Sequence, residues 1–203
     1  MRRKSSVALL VLIGLAAGGV VAVSAFLKHG VSARKAPWAV EAFVARRLRH
    51  LSIPRAAGKM KNPVPLTAEV LAGGMAHFAD HCAACHANEG SGGTEMGRGL
   101  YPKVPDMRLA GTQDLSDGEL FYIIENGVRF TGMPAWGTGD REHEQASWHL
   151  VHFIRHLPRL TVEEVGEMER MNPRSPGELR EEMKEERFLQ GEEVSEPPPT
   201  HKH

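Results

Sequence analysis

An all-α fold led by one N-terminal transmembrane helix is what this 203-residue sequence predicts, and three patterns carry that expectation. Ser5 to Leu27 is a run of 23 residues without a charge, where a membrane-crossing helix needs about 20 apolar residues. Further along, apolar residues recur at helical spacing, as in Leu150, Phe153, Ile154 and Leu157. Capping boxes mark helix starts at Ser116 with Glu119, Thr161 with Glu164, and Ser175 with Glu178. No stretch alternates as a half-buried strand would.

Each segment follows from local chemistry. Residues 1–27 begin with Met1-Arg2-Arg3-Lys4 and continue into the apolar run. That run exceeds a secretory h-region of about 7–15 residues, so it reads as an uncleaved signal anchor. Cleavage after Val23-Ser24-Ala25 or Val31-Ser32-Ala33 is the alternative. Basic residues hold the N-terminus inside, although Lys28, Arg34 and Lys35 pull the other way. Residues 28–66 connect the anchor to a core. Pro37 opens a helix over 37–50, with Val40, Phe43, Val44, Leu48 and Leu51 on one stripe and Arg46, Arg47 and Arg49 elsewhere. The stripe suits a membrane surface and suits equally a helix packed on the core. Residues 52–66, with Pro54, Pro63 and Pro65, read as an extended linker. In the core, residues 67–158, Thr67 caps a first helix and Asp140 a last one that Pro158 stops. Loops rich in glycine and proline fill 87–114 and 126–139. Residues 159–203 hold two short charged helices, 162–171 and 176–189, before a disordered end containing Pro197-Pro198-Pro199.

Charge is divided unevenly within a formal total of zero. Residues 1–61 hold twelve bases and Glu41 alone as an acid, a net of +11. The core carries −6 and the tail −5. A basic segment beside an apolar run points to a membrane surface rather than to nucleic acid.

Cys82-Ala83-Ala84-Cys85-His86 contains the only two cysteines. C-x-x-C-H is the attachment signature of a c-type haem. Two thiols one helical turn apart can add to the two vinyl groups of one porphyrin edge, and the adjacent imidazole can bind the iron as proximal ligand. Other readings fit less well. A closed zinc site wants four ligands, a thioredoxin-like pair is expected beside a βαβ pattern, and a disulfide at this separation would be strained. A large flat apolar cofactor also explains how about 90 residues with long loops form a core. Four methionines of the core could bear on the sixth coordination position. Met75 lies on the first helix and should point away, and Met96 and Met107 are gap-filling loop residues. Met133 sits in Gly132-Met133-Pro134, where glycine admits close approach and proline stiffens the turn.

With these blocks in place the chain resembles a class I monohaem cytochrome c in a membrane-anchored form. The matching pieces are Gly74-x-x-x-Phe78 before the cysteines, Pro105-Asp106-Met107, Leu115-Ser116-Asp117-Gly118-Glu119-Leu120 through Gly127, Gly132-Met133-Pro134, and Trp148 to Leu157. The resemblance covers residues 67–158. It implies one haem c bound covalently at Cys82 and Cys85, with His86 proximal and Met133 distal. It also implies a crossing of the first and last helices near Gly74, Phe78 and Phe153. Asn88 stands where the family often has glycine. The loop from 87 to 105 leaves open which backbone carbonyl accepts the Nδ1 proton of His86, with Leu100 and Tyr101, before Pro102, as candidates. Haem is ligated outside the cytoplasm, so the core is expected on the periplasmic side of an inner membrane crossed once.

With both axial positions filled the iron offers no site to a substrate, so the expected function is one-electron transfer and not independent catalysis. Redox partner proteins would dock around the exposed thioether edge. The core's negative charge either steers a basic partner or keeps the domain soluble. A fixed haem subunit of a larger oxidoreductase is the alternative, and a gas or redox sensor is a third reading. Arg98, Tyr101, Arg108, Arg129 and Trp136 are candidate partners of the propionates. His149, His152 and His156 share a helix face expected to be solvated, His77 and His81 are expected at the surface, and His201 and His203 end the tail.

Overall fold

The computed structural model describes residues 2–30 and 32–190. Among them the chain is helical and has no strand. The proline triplet, His201 and His203, Val31, and the side chains of Arg2, Arg3 and Lys4 lie outside the described residues. Helix α1 spans Arg2–His29, and its Leu9–Lys28 segment is long and apolar enough to cross a membrane. Helix α2 spans Ala39–Ser52, two residues later than Pro37 suggests. Trp38 takes the cap position, and its backbone N–H donates to the Glu41 carboxylate at 3.3 Å.

The core is built on a crossing of two helices. Helix α3, Ala68–His77, starts where the Thr67 hydroxyl accepts from the Val70 N–H. It continues through one π-helical turn, Phe78–Cys82, into α4, Ala83–His86. In that turn the Ala83 N–H reaches back five residues to the Phe78 carbonyl. Helix α8, Arg141–His156, crosses α3 and buries Trp148, Leu150, Val151, Phe153 and Ile154. The crossing is close because position 74 has no side chain. A Cβ on Gly74 would collide with the His149 carbonyl and lie 3.0 Å from the Phe153 Cβ. Phe78 and Phe153, both fully buried, meet with ring centres 5.1 Å apart. Burying each such side chain contributes about 1.5–3 kcal/mol.

Helix α7, Asp117–Asn126, is started by the capping box of Ser116 and Glu119. Its Phe121 stacks on Trp148 at 4.0 Å and 6°. Arg155 of α8 fastens the start of α7. Its guanidinium donates to Asp117 Oδ1 at 2.9 and 3.0 Å, to the Gln113 carbonyl at 2.6 Å and to the Leu115 carbonyl.

The intervening loops are less bare than the sequence suggests, since they carry α5, Glu95–Gly99, and α6, Ala110–Gln113. The segment 52–66 is also not a free linker. It contains a 3₁₀ turn at Ala57–Lys59, buries Ile53 and Ala57, and is held by Asn62, whose side chain donates to the Trp148 carbonyl at 2.9 Å.

Helices α9, Val162–Met171, and α10, Pro176–Leu189, have the bounds their capping boxes predict. Met168 of α9 is fully buried in the core. This docking corrects the expectation of a solvated histidine face on α8. His152 Nε2 lies 2.8 Å from the Val64 carbonyl, His156 Nε2 lies 2.8 Å from Glu164, and His149 Nε2 is buried. The connector and α9 cover the face that periodicity alone leaves open.

Candidate haem site

The helix that runs through the π turn carries Cys82, Cys85 and His86 to one end of the core. Both cysteines are free and half-buried. Burial pushes the Cys82 thiol up to about 12, with Cys85 nearby adding to the shift. Burial likewise lowers His86 to about 4, so its imidazole is neutral across the physiological range. Neutrality is what a metal-ligating imidazole needs.

Local structure fixes the motif. At Ala87 the chain turns with φ of +62°, a left-handed conformation that costs a non-glycine residue on the order of 1 kcal/mol or more. The reward is closure of the following loop on the motif's own carbonyls. Gly92 N–H donates to the His86 carbonyl at 2.8 Å, and the Thr94 hydroxyl donates to the Cys85 carbonyl at 3.2 Å. Asn88, which departs from the family pattern, is half-buried in this loop.

The loop bearing Met133 is ordered by its backbone. Gly127 ends α7 at φ +63°, pressed so closely on Pro134 and Ala135 that a Cβ would lie 2.5 Å from the Pro134 carbonyl carbon. Val128 N–H donates to the Met133 carbonyl at 3.2 Å, and Met133 N–H donates to the Thr131 hydroxyl at 3.1 Å. Trp136 N–H returns to the Ile124 carbonyl at 3.1 Å. Two contacts bring this loop to the cysteine-bearing side. The Trp136 ring meets His81 edge-on at 5.4 Å, and Gly132 leaves room for the Leu100 side chain.

Three observations decide whether these residues suit a covalently held haem. Two unpaired thiols stand one turn apart. Beside them is an imidazole that burial keeps neutral. A half-buried methionine sits on a fixed loop tied to the same helix. The donor set fits. Neither candidate carbonyl, that of Leu100 or that of Tyr101, accepts from His86 Nδ1, which is buried without a partner. Loop 94–102 instead turns its polar groups elsewhere. The Tyr101 hydroxyl lies beside the Glu41 carboxylate, and this neighbour raises the phenol to about 12.

The remaining methionines separate clearly. Met75 and Met107 are buried in the core. Met96 is exposed, with its sulfur 3.3 Å from Cys85 Sγ. Nothing in its sequence context marks that contact, which depends on α5 folding back over Cys85. Of the expected propionate partners, Arg98 donates to the Gly93 carbonyl and Arg108 grips Asp106 at 2.7 and 2.9 Å. Trp136 packs on His81, and Arg129 is exposed. His77 is half-buried against His81, ring centres 4.8 Å apart, while His81 keeps an exposed edge and pairs with Asp80 at 3.0 Å. Among the described residues no group of three or more metal-ligating side chains converges elsewhere.

Residues 69–154 match the family described as cytochrome c oxidase, cbb3-type, subunit III. No curated protein matches the chain. The matched span opens in the first turn of α3 and closes in α8, so it takes in the crossing, the cysteine motif and the Met133 loop. Fold, donor chemistry and family agree: the chain carries a c-type cytochrome domain, and that domain serves haem-based electron transfer.

Proposed function

We propose that this protein is a membrane-tethered, periplasmic one-electron carrier with haem c held at Cys82 and Cys85 and ligated by His86 and Met133. The bound group supplies reversible one-electron oxidation and reduction at its iron. The protein's part is to hold, exclude and present. His86 offers a neutral nitrogen because its surroundings disfavour the protonated form. The bond from the Val128 N–H to the Met133 carbonyl and the bond from the Met133 N–H to the Thr131 hydroxyl fix the Met133 loop before any ligand is met, so little ordering entropy remains to be lost. The observation that carries the reading is the Trp136–His81 contact, which ties the Met133 loop to the helix bearing Cys82 and His86. Helix α1 supports the tether, and haem attachment outside the cytoplasm supports the orientation.

Replacing Met133 tests the ligand set. In the haem-loaded protein, Met133→Ala should abolish the sulfur-to-iron charge-transfer band and lower the midpoint potential, because thioether ligation raises it. Met96→Ala should leave both unchanged. An unaltered spectrum and potential in Met133→Ala would overturn the assignment.

The matched family's description names an oxidase subunit, and α10 adds a charged helix with no part in the core, which a free carrier does not need. These favour, as a second reading, a fixed haem subunit of a membrane oxidoreductase. Mild detergent extraction followed by sizing of the haem-stained peak separates the two, with a monomer-sized peak supporting the carrier.

A further inference from the structure

Helix α2 turns its apolar stripe away from the rest of the molecule. Val40, Phe43, Val44, Leu48 and Leu51 are 72, 55, 45, 62 and 81 % exposed, and no residue of the helix is buried. The opposite face is the one that meets the cytochrome domain. Glu41 lies beside the Tyr101 hydroxyl, His50 lies 3.9 Å from Glu119, and Glu41, Ala42 and Arg49 are half-buried. At about 100° per residue, the centres of these two faces are roughly opposite. Packing on the domain, one of the two readings the stripe allows, is therefore not what covers it.

We infer that α2 is an interfacial helix whose stripe lies in the surface of the anionic bilayer that α1 enters. This inference rests on the reading of α1 as a membrane span. Only residues 30–38 separate the two helices, a reach of at most about 30 Å, and the turn from Ser32 to Lys35 shortens it. Charge selects the lipid. The first 61 residues carry a net +11. Arg47 stands within the stripe, its guanidinium 5.4 Å from the centre of the Phe43 ring. There a long side chain can bury its stem and keep its charge at headgroup level. Arg46 flanks the same face. An exposed apolar patch rimmed by arginine is what an in-plane membrane helix presents.

Contacts on the other face give the placement a consequence for the redox site. Tyr101 follows Leu100, which packs at Gly132 of the Met133 loop, and Lys103 Nζ donates to the Ala33 carbonyl at 2.8 Å. A helix seated in the surface thus holds one rim of the cytochrome domain towards the membrane.

Site-directed spin labels on the haem-loaded full chain test this in vesicles of phosphatidylcholine with a minority of phosphatidylglycerol. Labels at Ile13→Cys, Val44→Cys and Ala45→Cys are compared for collision with oxygen and with a water-soluble nickel chelate. The oxygen-to-nickel ratio should be several-fold higher at position 44 than at position 45, and Arg46→Glu with Arg47→Glu should lower it at 44. Equal, water-like ratios at 44 and 45 with position 13 in the hydrocarbon overturn the inference alone. Protection of position 44 from both reagents, with a doubled mass in detergent, overturns it in favour of a second copy. Water-like access at position 13 overturns the span itself.

Discussion

Helices α2 and α8 are both amphipathic, and they bury opposite fractions of their apolar residues. In α8 the stripe from Trp148 to Ile154 is buried against α3 and α7. In α2 a stripe of similar spacing is wholly exposed. Periodicity reports that a helix has an apolar face; it does not report what covers that face. The neighbours decide. Gly74 lets α3 come close enough to cover α8, whereas α2 meets the domain through Glu41 and His50, polar groups that leave the stripe outward.

Substitutions can break or sharpen this contrast. Phe153→Ala should have the largest effect, about 3–5 kcal/mol from a fully buried ring, seen as a fall in the thermal midpoint of the haem-loaded protein. Arg155→Ala should cost about 2 kcal/mol, because the Gln113 and Leu115 carbonyls and Asp117 lose a charged donor at once; denaturant titration measures it. Acidification should reveal a smaller term at Glu164. Burial pushes this carboxyl up, but bonds from Thr161 and His156 outweigh it and leave it lowered. Its contribution is present above the ordinary carboxylate range and lost as pH falls through the lowered value, so Glu164→Gln should flatten the acid limb of a stability–pH curve by less than about 1 kcal/mol. Phe43→Ser on α2 should move stability in detergent by no more than about 0.5 kcal/mol. A large loss there would mean that the stripe is covered after all.

Local chemistry made much of the molecule legible. Thr161 and Ser175 announced α9 and α10 because a capping box is read within four residues. The cysteine motif stood out for a similar reason, since its chemistry is confined to one helical turn. What stayed hidden depends on long-range packing. Met168 looks like one apolar residue on an acidic helix, and only docking against the π turn makes it core. The histidine face of α8 looks solvated until Val64 and Glu164 arrive from elsewhere in the chain. Ala87 gave no warning of its left-handed backbone, because glycine is the residue that signals such a turn.

The π turn at Phe78–Cys82 has a consequence for rotational phase. A residue added to or removed from a helix rotates everything beyond it by about 100°. Phe78 must point into the core against Phe153, while Cys82, Cys85 and His86 must point towards the cofactor. The wide turn takes up an extra residue while both demands are met on one continuous helix. Deleting a single exposed residue from it, such as Asp80, would return the segment to ordinary α geometry, and because three α-helical steps turn through nearly the same angle as four π-helical ones, the attachment residues would keep their side of the molecule.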